Sequence, residues 1–254
     1  MCIRDRCWDN SAIIKAYRSE STYNLNERQL VLYDKYTKIL EEIISPNQSD
    51  IEKEIAIHDY LVDNINYVDT GDSSYNAYSA LINGIAVCSG YTECFKTLLD
   101  MLGIENATIS GEAGGQQHIW NVVNLDNHWY HVDVTWDDPV GSSSDYIDHS
   151  YFNISADDMA LDHTWDRSRY SAYEKCGAKY SYCRYKKLPL ISNVNQLNKL
   201  IYSTVKNKTA HIEFTTTYNA DLKEAISRTG QQLSYSYKNI DRVNYKLYSV
   251  TFTY

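Results

Sequence analysis

Only six of the 254 residues are cysteine (Cys2, Cys7, Cys88, Cys94, Cys176 and Cys183), and no two stand in CxxC spacing. That is too sparse for a disulfide scaffold, although Cys176 and Cys183 are close enough to bridge locally. No apolar run approaches the ~18 residues that span a bilayer, so no integral membrane segment is expected. The opening MCIRDR lacks the apolar stretch of a secretory leader. It resembles translated sequencing-adapter read-through, so residues 1–20 are read as an artefactual or truncated segment that says little about compartment. Basic charge is in deficit: 24 Lys+Arg stand against 33 Asp+Glu, a net charge of -9. A protein that tracks nucleic-acid phosphates needs a basic face, so a nucleic-acid partner is excluded. Proline is scarce, at three residues.

Against these absences, 43% of the residues are hydrophobic and 13% aromatic, which suits a buried core and not a disordered chain. The length allows one large domain or two modest ones. The 24 tyrosines fit either an aromatic recognition surface for glycans or peptides, or the base composition of a proline-poor chain rich in Asn and Ile.

Residues 24–44 carry Leu30, Tyr33, Tyr36, Leu40 and Ile44 at helical spacing. Ser49 with Glu52 forms a capping box, opening a helix to about Ile65. His58 lies on its apolar stripe, where a hydrogen-bonded core histidine is the reading favoured over a ligand. Residues 69–76 read as a loop, followed by a helical stretch from Tyr75 to Leu81 that ends at Asn83-Gly84. After Gly103 the period changes to two. His118–Leu125 and His128–Trp136 alternate around Asp126-Asn127, a tight hairpin turn. Asp137-Asp138-Pro139 ends the second strand, residues 141–145 form a polar loop, and Ser155 with Asp158 opens a short helix. Pro189 marks a boundary. The expected organisation is an N-terminal segment 1–20, a catalytic domain 21–185 and a small α+β domain 190–254.

An apolar approach, Gly84–Val87, ends at Cys88, and a helix follows with Tyr91, Phe95, Leu98, Leu99 and Leu102 on one stripe. A cysteine in the first turn of a helix meets unpaired N–H groups and the positive end of the dipole, which stabilise a thiolate. The alternative is a small apolar residue at a helix start. A two-residue turn at 126–127 places Trp120 opposite Asp133, so His118 and Asp133 share one face a diagonal step apart, ~7–8 Å by backbone position. An aspartate beside a histidine fixes its tautomer and stabilises its cation. Asn121 falls on the opposite face; a loop of odd length would reverse this, and register is the critical step. His131 shares the face of His118 and Asp133, so a metal-dependent hydrolase built on those three is geometrically conceivable. Trp120 and Trp136, with Tyr91, are candidate walls of a substrate cleft. His163, in DHTW, has no evident partner.

At these positions AVCSGYTECFKTLLDMLGI, HIWNVV and WYHVDVTWDDP resemble the bacterial transglutaminase-like superfamily, and YFNISADDMALDH resembles the tail of its bacterial members. The resemblance spans roughly residues 50–165. It implies a papain-like α+β fold, a Cys-bearing helix packed on an antiparallel sheet, with Cys88, His118 and Asp133 catalytic. The calcium sites of animal transglutaminases are not recognisable, and no metal or other cofactor is expected. The chemistry implied is acyl transfer on peptide or protein amides through a thioester, by a peptidase, an amidase or a protein-glutamine crosslinking enzyme. A catalytically silent module binding cell-surface peptides or glycans is the alternative. Relatives are often secreted or surface-attached, which suggests association with the cell wall. A second oxyanion donor is expected, with Asn83 or Tyr78 as the guesses.

Overall fold

The computed structural model describes residues 10–71, 74–138 and 146–254. Cys2, Cys7, the MCIRDR opening, Pro139 and the loop at 141–145 lie outside the described residues. The chain divides into two compact units, residues 1–180 and 181–254.

The first unit begins with three helices. Helix α1 (Ser11–Ser19) lies within the segment expected to be extraneous, yet it buries Ile13 and Ala16 completely or nearly so. The Asn10 side chain ahead of it donates to Glu93 Oε1 and Thr97 Oγ1, both at 3.0 Å. Residues 10–19 therefore contribute to the core of this unit. Helix α2 (Glu27–Ile43) starts at an Asn26/Gln29 capping box and buries Leu32, Tyr36, Ile39 and Leu40. Helix α3 (Asp50–Asn64) starts at the expected box, where Ser49 N donates to Glu52 Oε2 at 2.7 Å.

Strand β1 (Asn66–Tyr67) pairs in parallel with β2 (Ile85–Ala86). Between them a wide helical turn, Ser79–Asn83, closes on Gly84 at φ 70°, a conformation glycine adopts without strain. Helix α4 (Cys88–Met101) follows at once and is buried on nearly every side. Phe95, Leu98 and Leu99 are fully buried, each contributing ~2–3 kcal/mol of apolar burial.

Strands β3 (Asn106–Ala113), β4 (Gln116–Leu125) and β5 (His128–Val132) form an antiparallel meander, with helix α5 (Ala156–Met159) and strand β6 (His163–Thr164) after it. The sheet order is β5-β4-β3-β6. Helix α4 docks on β4 through polar bonds as well as apolar contact: Thr92 Oγ1 donates to Ile119 O and Asn121 Nδ2 donates to Thr92 O. This is an α+β arrangement, a Cys-bearing helix packed on an antiparallel sheet.

The second unit contains α6 (Tyr182–Tyr185), β7 (Leu190–Ile191), α7 (Val194–Lys206), β8 (His211–Thr216), α8 (Leu222–Ser227), β9 (Ser234–Asp241) and β10 (Lys246–Thr253). Its mixed sheet has the order β7-β8-β10-β9. Leu197, Ile201, Phe214 and Val250 form its own core. The units divide after Tyr180, several residues before Pro189, because α6 belongs to the second unit. Cys176 and Cys183 are free thiols and form no bridge.

Candidate active site

Cys88 is the first residue of α4 and is 7% exposed. The close approach of its helix to β2 depends on Gly90, where a Cβ would lie 2.7 Å from that of Ala86. Asp126 and Asn127 both take positive φ, 52° and 60°, as a two-residue hairpin turn requires. Leu125 then stands opposite His128 and Asn121 opposite Val132, the register expected from sequence.

The ladder stops at Val132, four residues short of the expected Trp136. The cause is the Asp133 carboxylate. Its Oδ1 accepts from the backbone N–H groups of Thr135 at 3.1 Å and Trp136 at 3.2 Å, turning the chain where a strand would continue. Its Oδ2 is thereby left facing His118, whose Nε2 donates at 2.6 Å. Cys88 lines the same cavity as His118 and contributes to holding its pKa up. With Nε2 committed to Asp133, Nδ1 is the nitrogen left for the thiol.

Electrostatics follow from that packing. Burial works against a charge on His118, but the Asp133 carboxylate, its hydrogen bond and Cys88 outweigh it and hold the imidazole up at about 10. Burial likewise opposes the Asp133 charge, yet His118 and His163 hold its carboxyl well below the usual carboxylate range.

His163, for which the sequence suggested no partner, is the second imidazole on this carboxylate. Its Nε2 donates to Asp133 Oδ2 at 3.0 Å and its Nδ1 to Asp162 Oδ1 at 2.6 Å. Its ring packs 4.6 Å from that of Trp136. Strand β6 delivers it, pairing Ala113 with His163.

A cavity of about 340 Å³ opens above these groups, lined by Tyr67, Cys88, Gln116, Gln117, His118 and Trp136 among others. Of the three expected cleft walls only Trp136 lines it. Trp120 is fully buried and donates to His131 Nδ1 at 3.0 Å, and Tyr91 is fully buried with its hydroxyl on Asp138. Both are core residues, which corrects their assignment to substrate binding. Neither Asn83 nor Tyr78 lines the cavity. Asn121 points away, into α4, as expected. His131 is engaged by Trp120 and kept neutral, its pKa pushed down to about 3 by burial and by the neighbouring charges of His163 and Arg167. The group that converges with His118 and Asp133 is completed by His163 and not by His131. Tyr67 was missed from sequence. It lines the cavity, and burial and Cys88 raise its pKa.

Residues 37–134, which include Cys88, His118 and Asp133 but not His163, match the family model of the transglutaminase-like superfamily. That stretch is similar to the family; it is less than half of the chain. Three solved structures are similar to parts of it. A candidate cysteine protease from Cytophaga hutchinsonii has 18% identity and a TM-score of 0.36, over 40% of this chain and 37% of that one. A TGase has 18% identity and a TM-score of 0.41, over 54% and 40%. A candidate protease from Parabacteroides distasonis ATCC 8503 has 12% identity and a TM-score of 0.36, over 96% and 52%. The chain therefore covers between 37% and 52% of the length of these proteins. No curated protein matches the chain. Among the described residues no helix is long and apolar enough to cross a membrane.

Proposed function

We propose that the first unit catalyses cysteine-dependent acyl transfer on peptide or protein amides, with Cys88 as nucleophile, His118 as general base and acid, and Asp133 as the group that orients His118. The observation that carries this reading is the shared cavity: Cys88 and His118 both line it, while the far nitrogen of His118 is bound to a buried carboxylate.

Cys88 Sγ attacks the amide carbonyl after its proton passes to His118 Nδ1. The C–N bond breaks, the leaving amine takes that proton from the imidazolium, and a thioester remains. Water, deprotonated by His118, then releases the acid, or a primary amine releases a new amide. Asp133 stays ionised throughout and stabilises the imidazolium. In this reading the Cys88 backbone N–H, in the first turn of α4, donates to the oxyanion. The Tyr67 hydroxyl is the second donor in this reading, replacing the guesses from sequence.

The test is incubation of the full chain with peptide libraries, with and without an added primary amine, for wild type, Cys88→Ala and His118→Ala. Cleavage or amine incorporation that disappears in both variants supports the reading. Turnover unchanged in Cys88→Ala removes it.

A further inference from the structure

A second group of histidines lies away from Cys88, where α3 meets the segment before α5. His58 Nδ1 is 3.0 Å from Asp59 Oδ1, and His149 Nε2 is 2.7 Å from the same oxygen. The outer nitrogens are also engaged: His58 Nε2 lies 3.2 Å from Asp137 Oδ2, and His149 Nδ1 lies 3.1 Å from Ile147 O. His58 and His149 are buried and stack with ring centroids 5.0 Å apart.

The proton inventory of this group does not close with neutral rings. Four ring nitrogens face four acceptor positions, and an acceptor accepts only from an N–H. Two neutral imidazoles carry two N–H groups between them. Two contacts are then lone pair against lone pair; a cationic His58 between its two carboxylates closes one of them, and closing the other takes a second cation or a protonated carboxyl. Two stacked, buried cations repel one another and lose their hydration. A single divalent cation held by His58 Nδ1, His149 Nε2 and Asp59 Oδ1 supplies the same two charges and leaves both rings neutral. Each ring then keeps one N–H, on Asp137 and on Ile147 O. That is the outer arrangement metal-bound histidines adopt, one N–H on a carboxylate and one on a backbone carbonyl.

We propose that His58, Asp59 and His149 form a zinc site that ties α3 to the segment carrying His149. The ligand atoms already converge, all lying within 4.8 Å of one another. Two imidazoles and one carboxylate suit zinc, whereas calcium and magnesium require oxygen donors. The Asp59 side chain is 33% exposed, so solvent reaches the site and a water can complete the shell. Asp137 extends the clip toward the Asp133 turn, its Oδ1 accepting from Tyr151 N at 2.7 Å. His118, Asp133 and His163 also converge, but Asp133 is only 1% exposed and its other oxygen holds two backbone N–H groups, which leaves no open position.

The experiment uses the full chain, stripped with a chelator, dialysed and titrated with zinc against a chromophoric competitor, with thermal unfolding as a second readout. The expected result is equimolar binding at micromolar or tighter affinity and a higher Tm. Affinity falls by ~100-fold or more in His149→Ala and in Asp59→Ala, and is unchanged in Cys88→Ala and His163→Ala. Near-ultraviolet circular dichroism checks that each variant is folded. If the ligand variants do not fold, cobalt decides on the wild type: weak visible bands without a thiolate charge-transfer band support the site. Absence of binding, binding unaffected in His149→Ala, or a thiolate band overturns it.

Discussion

Nε2 of His118 stands 2.6 Å from Oδ2 of Asp133, and that same oxygen receives a second imidazole, His163, at 3.0 Å. A buried carboxylate bound this way remains ionised and keeps the ring that faces Cys88 protonated well above neutrality. His118 is cationic below about 10 and loses its proton as pH rises through that value. Asp133→Asn removes the charge that opposes burial, so the His118 titration should move down toward the ordinary histidine range. Histidine ring signals followed by NMR against pH report this directly. Amide turnover should fall ~10³–10⁴-fold in the same variant.

His163→Phe retains a ring against Trp136 and Tyr151 but withdraws an N–H from Asp133. The Asp133 carboxyl, held low in part by that bond, should titrate higher. Stability that depends on its ionisation is present above the unfolded pKa and is lost as pH falls through the folded one. The acid unfolding midpoint should therefore rise in His163→Phe. Stability at pH 7 should drop by ~1–3 kcal/mol, the cost of a poorly satisfied buried charge. Acid titration by circular dichroism checks both.

Gly111 lies where β6 crosses β3. An added Cβ would meet Thr164 O at 2.1 Å and Trp120 Cη2 at 3.1 Å. Gly111→Ala should cost ~1–3 kcal/mol through overpacking and should loosen the strand that delivers His163. Chemical denaturation, combined with the His118 titration, separates this from a global effect.

The two tryptophans should part company. Trp120→Phe leaves His131 Nδ1 buried without its donor and should lower stability by ~1–3 kcal/mol with KM little changed. Trp136→Ala alters the cavity wall and should raise KM by ~10-fold or more. A KM/kcat split measured beside Tm distinguishes them.

Local chemistry made much of this legible. Ser49 and Glu52, Asp126 and Asn127, and Gly84 each specify a backbone geometry from one or two side chains, and the structure adopts all three. The hairpin register then puts His118 and Asp133 on one face by arithmetic alone. What sequence did not reveal depends on contacts distant along the chain. His163 comes from a two-residue strand paired with β3, and Tyr67 from another paired with β2. Strands so short carry no periodicity. Trp120 and Tyr91 were misassigned because a pattern gives a face of an element but not what covers it. Helix α2 shows the same limit: it buries Leu32 and Ile39 beside Tyr36 and Leu40, a stripe rotated from the expected one.

The central claim is that the Cys88 thiol is activated by His118, and alkylation kinetics test it most directly. Iodoacetamide labelling at neutral pH, mapped by mass spectrometry, should modify Cys88 ahead of Cys94, Cys176 and Cys183. The rate should exceed that of a free cysteine peptide and fall at least ~10-fold in His118→Ala. A Cys88 that reacts no faster than the free peptide, or at the same rate with and without His118, would contradict the account.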